Sequence, residues 1–242
     1  MKSDTIWFGL LAKSAFSGLG EYYRKSESLF ESAREKDSLE IQEEIKTLAR
    51  DLRLSKDEEY GEWSLKMQEH EEQYDMLFTN FLRYSFIVLA YLVLEDHLHR
   101  FCMALQDAKG PAAKPVLKPG SNAWEYREYI NTRVSVQASL WEGVEDLRFI
   151  RNCITHASGN VARSNCRPDL HRIANKNVGI SISSRGIADK MTPLYLEGDM
   201  ILIEPQYCKS VVHDIGVLLE TICKAADLPT TMRFENGSII FD

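Results

Sequence analysis

Six consecutive residues, Arg151-Asn152-Cys153-Ile154-Thr155-His156, place a permanent cation, an amide and an imidazole within about one and a half helical turns. That set suits phosphate chemistry. Arginine offers a rigid fork of donors matched to phosphate oxygens, asparagine can donate and accept, and histidine is the side-chain type that exchanges protons near neutrality. The surrounding segment is basic: from Arg148 to Lys176 the chain carries Arg148, Arg151, Arg163, Arg167, Arg172 and Lys176 against Asp169 alone. A basic stretch at such a motif is what a polyanion site needs, the plainer alternative being a solvated basic surface.

Other reactive constellations are weaker. In Glu95-Asp96-His97-Leu98-His99 the two histidines point about 200° apart on a helix, so only Glu95 and His99 could share an ion. A charged helix end is the better reading, and no metal or cofactor is expected. Cys153 has no third orienting group beside His156 and no G-x-S-x-G elbow exists, so Cys153 reads as core. Phe16-Ser17-Gly18-Leu19-Gly20 lacks the lysine of a phosphate loop and reads as the start or end of a helix. His70, in an acidic run, is expected to be solvated, and His171 and His213 to lie on the surface.

The whole chain, 242 residues with 44% hydrophobic and 27% charged content, has the composition of one soluble globular domain. Its net charge of -7 is uneven: Glu21 to Glu72 holds 16 acidic and 9 basic residues. Five cysteines without a C-x-x-C pair argue against a disulfide framework or zinc ribbon, so reduced thiols and a cytoplasmic location are expected. Asp4 near the start and the lack of a clear cleavage site argue against a signal peptide. Ser85 to Leu94 is roughly half the length of a bilayer span and reads as a buried core helix, so no membrane partner is expected.

The elements that must position the motif are mostly helical. Glu21 to about Gln106 is nearly free of Gly and Pro. Leu29, Ala33, Ile41, Ile45, Leu48 and Leu52 mark one or two amphipathic helices, and a more buried helix follows from about Glu69 to Gln106. Lys109 to Gly120, with three prolines, is a loop, after which Ser121 or Asn122 can cap a helix bearing Trp124, Tyr126, Tyr129 and Ile130. A further helix is predicted over about Val134 to His156, with Leu140, Val144, Leu147 and Ile154 as its core face. Beyond Gly159, Val178 to Ile182 alternates like a strand, and Leu194-Tyr195-Leu196 and Met200 to Ile203 suggest a hairpin across Glu197-Gly198-Asp199. A last amphipathic helix covers about Tyr207 to Ala226, and Glu235-Asn236-Gly237-Ser238 suggests a second small hairpin. The predicted class is mainly α, a single domain over 1–242, with a helical core at about 21–159 and a C-terminal hairpin plus helix at about 176–242.

On an ideal helix Arg151 falls about 20° from Leu140, inside the predicted apolar stripe, and His156 about 140° further round. A buried arginine needs an acid, a second subunit or a ligand; Glu95 and Asp96 are the carboxylate candidates within the chain. Asn152 and His156, four residues apart, share the other flank.

The pattern Arg151, four residues, His156, with Asn152 after the Arg and the motif late in a helix of an all-helical core, resembles the HEPN superfamily (higher eukaryotes and prokaryotes nucleotide-binding) over about Phe81 to Gly159. The resemblance implies a HEPN-like helical bundle that forms a homodimer, with two motifs facing one cleft and cutting RNA without a metal ion. A ribose 2'-hydroxyl would attack the adjacent phosphate, leaving a 2',3'-cyclic phosphate and a 5'-hydroxyl. His156 would move protons, Arg151 would stabilise the phosphorane, Asn152 would orient the imidazole or hold a phosphate oxygen, and the basic residues would hold the strand. A toxin or phage-defence setting with an antitoxin or other regulatory partner is also implied. A toxin branch carries a modifiable Tyr two residues after the His; that position is Ser158 here, so regulation by that modification is not implied. Two other readings compete: a HEPN-like module that binds RNA or a nucleotide without cutting it, and a structural role in which Arg151 is a buried ion-pair partner.

Overall fold

The protein is a mainly α-helical bundle with small antiparallel β elements, and the computed structural model describes residues 3–109, 122–183, 198–228, 232–235 and 238–241. Helix α1 spans Ser3–Leu52. It runs straight through Phe16-Ser17-Gly18-Leu19-Gly20, where the sequence suggested a helix boundary. Phe16 and Leu19 are buried and anchor those turns, offsetting the up to about 1 kcal/mol that each helical glycine costs. Of the stripe expected along α1, Ile45 is buried, whereas Leu29 and Leu52 are exposed.

Ser55 opens α2, Lys56–Glu72, through a reciprocal capping box with Glu58. A six-residue π-helical turn, Gln73–Phe78, joins α2 to α3, Thr79–Lys109. The helix expected from about Glu69 is therefore the later part of a longer helical run. An 18-residue window of the run Lys56–Gln106 has a mean hydropathy of 1.7, enough by length and composition to cross a membrane, and 44% of that window is buried inside the protein. His70, expected to be solvated, is 6% exposed, its ring 4.7 Å from that of Tyr74. The Tyr74 hydroxyl donates to Asp37; burial and then Asp37 push it up to about 12.

The predicted loop from Lys109 to Gly120 lies, from residue 110 on, outside the described residues. Asn122 caps α4, Ala123–Asn131, accepting from the Trp124 and Glu125 amides. Helix α5, Ala138–Ala157, begins four residues later than the sequence suggested. After a 3-10 turn, Val161–Arg163, come α6, Arg167–Lys176, then β1, Ile180–Ser183, β2, Met200–Ile203, and α7, Pro205–Ala225. The strand paired with β2 is β1, Ile180 opposite Ile203 and Ser183 opposite Met200; Leu194 to Leu196, the partner expected from sequence, lies outside the described residues. Strands β3, Met232–Glu235, and β4, Ser238–Phe241, pair antiparallel with Glu235 opposite Ser238. The hairpin suggested at Glu235 to Ser238 is thus present as a strand pair, and positions 236 and 237 between the strands lie outside the described residues.

The chain forms two compact units. The first comprises Met1–Glu21, Ile87–Asn152 and Gln206–Asp242; the second comprises Tyr22–Phe86 and Cys153–Pro205. Buried residues of the first include Leu94, Leu98, Phe101, Ile130, Trp141, Leu147, Ile150, Leu218 and Ile222. In the second, the early part of α3 grips strand β2 by its backbone. Asn80 Nδ2 donates to the Ile201 carbonyl (3.3 Å) and its Oδ1 accepts from the Ile203 amide (3.2 Å). Arg83 Nη1 donates to the Ile203 carbonyl (2.9 Å) while Nε and Nη2 donate to the Glu27 carboxylate (2.9 and 3.3 Å). Tyr84 donates to the Ile201 carbonyl. Positions 80, 83 and 84 share one helical face, so three backbone groups of β2, the Ile201 carbonyl and the Ile203 amide and carbonyl, are satisfied by side chains. Asn80→Ala should lower stability by about 2 kcal/mol, because the buried Ile203 amide loses its acceptor while the Ile201 carbonyl keeps only Tyr84. Chemical denaturation would read this as a lower midpoint at unchanged slope.

Candidate active site

Helix α5 carries the motif, and its buried residues explain how. Trp141, Val144, Leu147, Ile150, Cys153 and Ala157 are buried, while Leu140 and Ile154, expected on the core face, are partly exposed. Buried positions three residues apart drift by about 60° per step around the helix. The stripe therefore winds instead of running straight, and Arg151 lies at its margin, half-buried.

The first unit holds Arg151 and Asn152. The Arg151 guanidinium sits 5.3 Å from the centre of the Tyr91 ring, and its Nη1 donates to Asn152 Oδ1 at 2.9 Å. A guanidinium stacked on an aromatic face keeps its charge at a modest desolvation cost. Tyr91, on α3, is a site residue that sequence reasoning missed; no local spacing links positions 91 and 151. Burial pushes its hydroxyl up to about 12, Glu95 adds to this, and Arg151 and Arg148 oppose it. The phenol therefore stays protonated through the physiological range and can donate.

The candidate supporting acids have these partners. Asp96 pairs with Arg100 at 2.8 Å. Glu95 Oε1 accepts from the Ala123 amide at 3.1 Å and from the Tyr91 hydroxyl at 3.5 Å. Glu95 thus acts at the start of α4 and on the ring beneath Arg151. Arg148, half-buried, pairs with Glu145 at 3.6 Å and lies 4.7 Å over Phe149. Nearby, His97 Nδ1 is 2.8 Å from the Val93 carbonyl, which makes it the protonated ring nitrogen, and its ring stacks edge-on against Phe16. Among the described residues no cluster of three metal-ligating side chains occurs.

The second unit holds His156, exposed in the last turn of α5. What ends the helix also fixes that turn. Ser158 and Gly159 take left-handed φ of 53° and 79°. The Gly159 amide donates to the Cys153 carbonyl (3.0 Å) and the Asn160 amide to the Ala157 carbonyl (2.9 Å). The chain then runs beside β2: the Ile201 amide donates to the Gly159 carbonyl (3.0 Å), Asn160 bridges Met200, and the Val161 amide donates to the Asp199 carbonyl (2.7 Å). Gly159 has no room for a side chain, since a Cβ there would lie 2.2 Å from the Tyr84 hydroxyl oxygen.

Arg163, Arg167, Arg172 and Lys176 belong to this second unit and are exposed. Arg167 lies 3.8 Å from Asp199, and Arg172 3.7 Å from Asp169. Such exposed pairs contribute little to stability and leave the cations available to a stronger anion. Cys153 is buried as predicted, and burial pushes its thiol up to about 11. Alkylation of the native protein at pH 8 should reach Cys166, which is partly exposed, before the buried Cys102, Cys153, Cys208 and Cys223. Peptide mass mapping checks this; early modification of Cys153 would contradict the packing.

Arg151, tied to Asn152, thus lies over the Tyr91 ring, whose hydroxyl donates to Glu95, while His156 stands on the exposed closing turn of the helix. No family model, curated protein or solved structure matches this chain.

Proposed function

We propose that the protein is a metal-independent endoribonuclease of HEPN type, acting as a homodimer whose two motifs build composite sites. The observation that carries this reading is the disposition of the motif on α5: Arg151 is stacked on Tyr91 and tied to Asn152, and His156 is exposed. Five helical positions separate Arg151 from His156 by about 140°. A second copy supplies what one chain's geometry does not. His156 of one protomer moves the protons of 2'-hydroxyl attack. Arg151 of the other stabilises the charge on the phosphorane, with Asn152 holding Arg151 in place. The exposed Arg163, Arg167, Arg172 and Lys176 hold phosphates along the strand. A cytoplasmic toxin or phage-defence effector under the control of a partner protein is the setting that the resemblance implies.

The test is incubation of the protein with RNA in excess chelator, with analysis of the fragment ends. The expected products carry 2',3'-cyclic phosphate and 5'-hydroxyl termini. Intact RNA from a protein that nonetheless binds it would instead favour the non-cutting module, a reading for which the exposed cations of α6 also speak.

A further inference from the structure

We propose that Tyr91 is a positioning residue, whose ring, tethered by Glu95, sets where the Arg151 guanidinium stands when a phosphate reaches it. The inference rests on the reading of Arg151 as a phosphate-binding group on the first unit. Tyr91 is 2% exposed, so it meets no substrate and acts through the arginine. The guanidinium lies 5.3 Å from the centre of the Tyr91 ring and donates to Asn152 Oδ1 at 2.9 Å. The ring limits its motion across one face, and the amide limits it along one edge. Arginine is a long, rotamer-rich side chain whose ordering opposes binding. Held in this way it is ordered before phosphate arrives, with its planar fork already set.

The ring is tied to a third helix. Glu95, one turn further along α3, accepts from the Tyr91 hydroxyl at 3.5 Å and, through the same Oε1, from the Ala123 amide at 3.1 Å. Ala123 is the first residue of α4, where an amide without an intrahelical partner favours a carboxylate. The start of α4 is closed in turn by the capping box of Asn122 and Glu125. Burial and then Glu95 push the Tyr91 hydroxyl up to about 12, so it remains a donor to Glu95 throughout the physiological pH range. The line from the α4 cap through Glu95 and Tyr91 to Arg151 thus joins α4, α3 and α5 within the first unit. Charge held in place beforehand is what a charged transition state needs. A displacement of about 1 Å can cost on the order of 10²-fold in rate.

Cleavage kinetics of the full chain test the proposal. Tyr91→Leu, which fills the site without a ring, should lower kcat about ten- to a hundredfold and leave KM nearly unchanged. Tyr91→Phe keeps the ring and loses only its tether, so it should retain most of the rate. In Arg151→Ala, where no guanidinium remains to be placed, Tyr91→Leu should cost nothing further. A merely structural tyrosine would lower both backgrounds alike, so equal losses, or an unaltered kcat in folded Tyr91→Leu, would overturn the role. A measurement on the native protein does not depend on the folding of any Tyr91 variant. With arginine labelled in 15N, the Arg151 Nε–H proton signal, assigned by its loss in Arg151→Lys, should be displaced by the ring current of Tyr91. An undisplaced signal overturns the role as well. The outcomes separate the role from the nuclease reading. Cleavage with additive losses defeats only the positioning role. RNA bound but not cut defeats only the nuclease, and affinity then replaces kcat in the same comparison. A chain that neither cuts nor binds RNA defeats both.

Discussion

An equimolar mixture of Arg151→Ala and His156→Ala chains, unfolded and refolded together, is expected to recover about a quarter of wild-type RNA cleavage, although each variant alone is nearly inactive. Removing the histidine should cost on the order of 10²–10⁴-fold, and removing the arginine on the order of 10²–10³-fold. In a two-fold dimer each composite site takes Arg151 from one chain and His156 from the other. A mixed dimer then contains one site lacking both groups and one site with both intact. Random pairing makes about half the dimers mixed, each with one working site of two. A site contained within a single chain gives no recovery, because every chain in the mixture lacks one group. Mixed dimers as inactive as the separate variants would therefore end the composite-site model, and tagged chains purified through both tags would confirm that mixed dimers were assayed.

Gly159→Ala should produce the largest loss of stability among small substitutions around the motif, about 3–5 kcal/mol. Three effects add. The backbone φ of 79° is one that a side chain resists. The new Cβ would lie 2.2 Å from the Tyr84 hydroxyl oxygen and 2.6 Å from two ring atoms, so the ring must move. Moving it breaks the bond to the Ile201 carbonyl, in the same residue whose amide holds the Gly159 carbonyl. A domain of this size should melt roughly 10 °C lower. Tyr84→Ala makes room for the methyl group, so the double variant should lose less than the sum of the two single losses. Strict additivity would show that the clash with Tyr84 is not the cause. Activity should fall with stability, because the turn that Gly159 closes is the one carrying His156.

Helix content was legible along most of the chain, because three- and four-residue spacing of apolar groups reflects helix geometry itself. The α4 cap at Asn122, the long α7 and the pairing of the last two strands follow from residue chemistry close to their own positions. Errors arose where a distant contact decided. Local composition suggested a break at Gly18 and Gly20, but buried neighbours carry α1 through. The acidic run around His70 suggested solvent, but the ring packs at Tyr74 beside a π-helical turn. A straight stripe on α5 led to Leu140 and Ile154, whereas the buried positions wind around the helix.

The sequence by itself determined the helical class and the presence of Arg151, Asn152 and His156 late in one helix, since both depend on spacings of a few residues. It also determined the basic run that follows, a property of composition. Only the tertiary structure decided that Arg151 rests on Tyr91, sixty positions away. It likewise gave Glu95 the Ala123 amide and left Asp96 with Arg100. Tertiary packing also made Gly159 indispensable, through a tyrosine on α3 and a strand forty residues further on. The physical reason is the same in each case. Hydrogen bonds and ring contacts between residues far apart in the chain depend on where folding brings them, and no local periodicity encodes that meeting.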